Sequence, residues 1–138
     1  MYLDTCILAK LFAPEEDSEK YATQASGAIL VSSEIAYAEV FSALLKKERM
    51  GEITLEQRSL GWIRFERQIR EKSIYLAPLD GAIVRHARDI MLELHPHVAL
   101  RTLDAMHLAT YFTVLSGPLL TNDRRMREAA TRLEIALA

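Results

Sequence analysis

The chain alternates short apolar runs with longer stretches of helical period, and few architectures accept that order. "MYLD" at 1–4, "ILVS" at 29–32, "IYLAPL" at 74–79, "PLLT" at 118–121 and "IALA" at 135–138 read as strands. Residues 5–13, 15–26, 33–50, 54–72, 80–95, 102–116 and 123–132 read as the helices between them. Strands separated by helices pair in parallel, so the expected fold is α/β: a three-layer α/β/α sandwich around a mainly parallel sheet of four to five strands. Pro14 ahead of "EED" predicts a helix start, with proline in the first turn and acids at the positive end of the dipole. Gly27, Gly51 and Gly117 fall where helices should stop. No linker, repeat or low-complexity run divides the chain, so a single domain over 1–138 is expected.

Composition narrows the class. Hydrophobic residues make up 50% and charged residues 26%, enough for a core and unlike a disordered chain. The apolar runs are too short to span a membrane, and no basic-then-apolar leader opens the chain. Cys6 is the single cysteine, which excludes an internal disulfide and Cys-based zinc fingers. A cytoplasmic protein is the expectation. The net charge of −2 is not that of a general nucleic-acid binder. Its distribution is uneven: residues 1–45 are acidic and residues 46–72 basic, so a local basic surface beside an acidic pocket is compatible with the total.

In α/β folds ligands bind beyond the carboxyl ends of strands, which directs attention to the polar residues there. Asp4 ends the first strand and Asp123 follows "PLLT". Asn122 and Asp123 are also ordinary N-cap residues for the last helix, and the sequence leaves both readings open. Asp104 is a first-turn acid, yet it sits on a helix that is apolar nearly all round, where an ionised carboxylate is costly unless paired or bound to a cation. Glu39 lies on a polar stripe with Ser32, Ile35, Ser42, Lys46 and Arg49. That stripe is either a solvated seam or one wall of a cleft, with Lys46 and Arg49 placed further along toward a polyanion. Four acids at one point make sense only around a cation, and oxygen ligands suit Mg²⁺ or Mn²⁺ rather than zinc. Such a site supports phosphodiester cleavage.

"LDTCILAKLF", "AEV", "LDAMHLAT" and "LLTNDRRM", in that order, resemble the PIN-domain ribonucleases, and most closely the VapC-type toxins of bacterial toxin–antitoxin pairs. The resemblance covers essentially the whole chain and rests most on "LDAMHLA" with the later "TND". It implies a PIN-like sheet with strands 1 and 4 adjacent, gathering Asp4, Glu39, Asp104 and Asp123 around Mg²⁺ or Mn²⁺. It further implies RNA cleavage by metal-activated water to 5′-phosphate and 3′-hydroxyl ends, a homodimer, and a VapB-type antitoxin partner. Thr5 and Thr121 match polar positions beside the metal, with Asn122 in support. The first strand, barely three residues before Asp4, departs from the family pattern: either the chain starts downstream of its natural beginning or the strand is stubby.

Other residues carry weaker signals. His107 reads as a hydrogen-bonded core histidine, Cys6 as a small buried thiol, and the "HPH" at 95–97 as a loop. Arg124, Arg125 and Arg127 suit either phosphate contacts at a helix start or plain solvent exposure. The same choice holds for Arg64, Arg67 and Arg70. Trp62, Phe65 and Ile69, with Tyr37, Phe41 and Leu45, offer more apolar surface than one sheet needs, which predicts a dimer or antitoxin interface. Two rivals to the nuclease are a receiver-like Mg²⁺-binding regulatory module and a catalytically inactive PIN scaffold. The first needs a lysine after a late strand, and no lysine follows residue 72.

Overall fold

The computed structural model describes residues 1–114 and 117–138. Four strands, β1 (Tyr2–Leu3), β2 (Leu30–Ser33), β3 (Ile74–Ala77) and β4 (Leu119–Leu120), form one sheet in the order β3-β2-β1-β4. All pairings are parallel. Among the described residues seven helices accompany them: α1 (Thr5–Phe12), α2 (Ser18–Ala25), α3 (Ile35–Arg49), α4 (Leu55–Arg70), α5 (Gly81–Leu94), α6 (Thr102–Val114) and α7 (Arg124–Arg132).

The two-residue β1 is held from both sides. Tyr2 pairs with Val31 and Leu119, and Leu3 pairs with Leu120. The Asp4 amide extends this ladder by donating to the Leu120 carbonyl at 3.1 Å. Tyr2 and Leu3 are both fully buried, but in different cores, because successive strand side chains point to opposite faces. Tyr2, Val31 and Leu119 pack against α5, α6 and α7. Leu3, Leu120 and Ile74 pack against α1 to α4 through Ile7, Leu8, Tyr21, Val40, Leu44 and Phe65. The sheet is therefore the middle layer of an α/β/α sandwich, and each buried side chain stabilises it by roughly 1.5–3 kcal/mol.

Several expectations are corrected. "IALA" is not a fifth strand: Leu137 makes an isolated parallel bridge to Leu119, where the chain passes briefly alongside β4. The "PEED" helix start is displaced to Ser18, because Glu15 and Asp17 are drawn to lysines instead of capping a turn. Glu15 bridges Lys10 (2.7 Å) and Lys47 (2.6 Å), and Lys10 also bonds Asp17 at 2.5 Å. Ser32 belongs to β2, not to the helical stripe, and its hydroxyl donates to the Leu3 carbonyl. On α3 only Ala36, Val40 and Leu44 are buried, so this helix is less enclosed than its apolar content suggests. Gly27 and Gly51 end their helices at φ 72° and 73°. The helix expected over 102–116 is observed to Val114, and its last two positions lie outside the described residues.

The Glu15 bridge yields a pH prediction. The hydrogen bonds from Lys10 and then Lys47 hold the Glu15 carboxyl below its ordinary value of 4.5. A depressed carboxylate stabilises the fold above its unfolded pKa, and the contribution is lost as pH falls through the folded value. Glu15→Gln is expected to lower Tm at neutral pH and to flatten the Tm decline from about pH 6 to about pH 3. An acid limb as steep as the parent's would reject the bridge as a contributor.

Candidate functional site

The strand order reverses at β1: β2 and β3 extend the sheet to one side, and β4 joins on the other. Asp4 leaves β1 at this point, while Thr121 to Asp123 leave β4 beside it. Asp4 is only 6% exposed and begins α1 without capping it by its side chain. Its Oδ2 accepts instead from the Thr121 hydroxyl at 2.7 Å and the Cys6 thiol at 3.1 Å. Burial and the neighbouring Asp4 charge push that thiol up to about 12. Cys6 was expected as a small buried thiol; it is half-buried and, protonated, donates to Asp4.

For Asp123 the capping reading is observed. Oδ1 caps α7 by accepting from the Arg125 and Met126 amides at 2.7 and 3.1 Å. Asp104, in the first turn of α6, has a buried Oδ2 with no hydrogen-bond partner. Burial, then the charges of Asp4 and Asp123, raise its pKa, against a smaller lowering by Arg101. Asp4, Asp104 and Asp123 therefore share one electrostatic neighbourhood. An orphaned buried carboxylate oxygen among like charges is the environment a cation would relieve. Among the described residues, no three His, Cys, Asp or Glu side chains are drawn tightly enough to ligate one ion as they stand.

Glu39 differs from the other three. The Thr5 hydroxyl donates to its Oε2 at 2.6 Å, and His107 Nε2 approaches the same oxygen at 2.8 Å. Burial alone would raise the Glu39 pKa, but these two hydrogen bonds hold it below the ordinary carboxylate value. His107 is the hydrogen-bonded core histidine expected from sequence, but its link to Glu39 was not foreseen.

The basic candidates stand further out. Lys46 is exposed on the rim of a groove of about 420 Å³ that also includes Cys6, Ala9, Lys10, Ala43 and Met50. Arg49 and Arg124 are exposed and Arg125 is half-buried; the Arg127 guanidinium donates to the Thr121 carbonyl at 3.2 Å. The Asn122 amide donates to Cys6 Sγ at 3.4 Å. A second groove, of about 810 Å³, is lined by Tyr37, Ala38, Ile69 and β3 and contains none of the four acids. The expected surplus of aromatics is partly used inside the fold. Phe65 is fully buried, with its ring centroid 5.1 Å from Phe12 and 5.5 Å from Trp62, while Tyr37 stays 42% exposed.

Fold and site together define an α/β/α protein in which Asp4 and Asp123 follow adjacent strands at the reversal point of a parallel sheet. A family model described as the PIN domain matches residues 1–132, and the chain belongs to that family. Among solved structures it is similar to a chain of a toxin–antitoxin complex from Klebsiella pneumoniae, with a TM-score of 0.60 and 19% identity over 88% of this chain and 85% of that one. At that identity the likeness is one of fold. No protein of curated function matches the sequence. No helix is long and apolar enough to cross a membrane among the described residues.

Proposed function

We propose that this chain is a divalent-metal-dependent endoribonuclease, the toxin of a VapBC-type toxin–antitoxin pair, acting as a homodimer. The observation that carries the reading is Asp104, with its buried, unpartnered oxygen under the charges of Asp4 and Asp123 in a PIN-family chain. The similar toxin–antitoxin structure supports a protein partner. RNA as substrate rests on the family resemblance. The exposed Tyr37 and the groove beside it are the surface that favours a second copy or an antitoxin.

In this reading Asp4, Asp104 and Asp123, together with Glu39, would hold Mg²⁺ or Mn²⁺. Thr121 and Cys6 orient Asp4, and Thr5 orients Glu39. Asp123 offers the oxygen its cap leaves unused. When bound, the cation supplies positive charge against the phosphate oxygens and makes water more acidic. Lys46, Arg49, Arg124 and Arg125 take flanking phosphates, Asn122 standing beside them. Hydrolysis forms a bond from a water oxygen to phosphorus, breaks the bond to the 3′ oxygen, and leaves a 3′-hydroxyl and a 5′-phosphate.

The test is cleavage of total RNA with Mn²⁺ or Mg²⁺, followed by mapping of the product ends. Cleavage is expected with either ion, to be lost with chelator and to return with excess metal. Activity that survives the chelator would remove the cation from the reading. A protein that binds Mn²⁺ by calorimetry but leaves RNA intact would remove RNA.

A further inference from the structure

We infer that His107 is a positioning residue of this site: it fixes Glu39 from beneath, and Tyr2 selects the tautomer in which it does so. The inference rests on the nuclease reading above. His107 is 1% exposed on α6, and its polar partners come from three other elements. Nδ1 lies 3.1 Å from the Tyr2 hydroxyl of β1. Nε2 lies 2.8 Å from Glu39 Oε2 of α3 and 3.0 Å from the Thr5 hydroxyl of α1.

The protons follow from the partners. Thr5 has one hydroxyl hydrogen and gives it to Glu39 Oε2 at 2.6 Å. The carboxylate has none to offer, so Nε2 carries its own hydrogen and donates it there. A neutral imidazole protonated at Nε2 has a bare Nδ1, which accepts from Tyr2. Every hydrogen in the set then has an acceptor.

A histidine that merely needed satisfaction in the core could be served by backbone carbonyls. Here both donors converge on one oxygen of one acid. Oε1 of Glu39 takes no hydrogen bond among the described residues, and the side chain retains 23% exposure. The carboxylate is pinned at one end and open at the other. Donors behind a ligating carboxylate fix its orientation, and their loss typically costs 10–100-fold in metal affinity or activity.

The experiment measures Mn²⁺ affinity by calorimetry, together with kcat and KM for RNA cleavage. His107→Leu is expected to weaken Mn²⁺ binding about 10–100-fold and to lower kcat similarly, with KM for RNA little changed. His107→Gln, which keeps an N–H near the Nε2 position, recovers most of both; Tyr2→Phe falls between. In a Glu39→Gln background, His107→Leu should add less than about two-fold, since its effect runs through that carboxylate. Parent-like Mn²⁺ affinity in a folded His107→Leu, or full additivity with Glu39→Gln, would overturn the inference. Should His107→Leu fail to fold, Tyr2→Phe and His107→Gln decide: a Tyr2→Phe protein that binds Mn²⁺ and cleaves like the parent overturns it. A parent protein that binds no Mn²⁺ refutes the nuclease reading and this inference with it.

Discussion

Asp104→Asn is expected to cut RNA cleavage by about 10²–10³-fold, the scale of losing one preorganised charged group from a transition-state environment. The same substitution is expected to raise Tm of the cation-free protein. Asp104 places a carboxylate oxygen out of water without a hydrogen bond, near two other acids. Its pKa is raised in the fold, so the ionised form opposes folding. That penalty is full above the folded pKa and fades as pH falls toward the ordinary value of 3.8. Asparagine carries no charge at either pH, so the gain in Tm should be present at neutral pH and shrink in acid. Mn²⁺ should stabilise the parent and have little effect on the variant. A variant that melts below the parent at neutral pH would mean that Asp104 is satisfied where it stands, and the cation site would lose its main support.

This opposition between activity and stability also explains what the sequence disclosed. An acid on an all-round apolar helix was visible at Asp104, because hydropathy and spacing are local. So was the layer order, since the alternation of strands and helices admits few topologies; the strands themselves are shorter than the apolar runs, and "IALA" forms only an isolated bridge. Partner choice at long range was not visible. Glu15 and Asp17 read as first-turn acids, and nothing nearby shows that Lys10 and Lys47 draw them away. Cys6 read as a core thiol because its acceptor, Asp4, reaches it only once β1 turns into α1. The Tyr2–His107–Glu39 chain joins residues 105 and 68 positions apart, and no periodicity links them. The convergence of Asp4, Glu39, Asp104 and Asp123 on a cation entered through the family resemblance and stands as part of the proposed function.

Gly61→Val should destabilise the fold by about 3 kcal/mol, the upper range for overpacking, and Gly61→Ala by less. Gly61 lies inside the sixteen-residue α4, where glycine costs roughly 1 kcal/mol relative to alanine. The contact with α1 accounts for that cost. A Cβ at Gly61 would stand 2.5 Å from the Phe12 carbonyl oxygen, 3.4 Å from its carbon and 3.6 Å from Leu44 Cδ2. The first neighbour is backbone at the last residue of α1, so it cannot rotate away as a side chain would. Relief requires α1 or α4 to move. Alanine gains helix propensity while meeting the clash; valine meets it with two further methyl groups and no such gain. Urea midpoints at unchanged m-value check the order parent, Ala, Val, and an alanine variant as stable as the parent would show that the helices part freely. The displacement would also reach the candidate site, because α1 is eight residues long and begins at Thr5. A shift at Phe12 is carried along that short helix to the hydroxyl that holds Glu39, so Gly61→Ala should lower kcat even at temperatures where the protein remains folded.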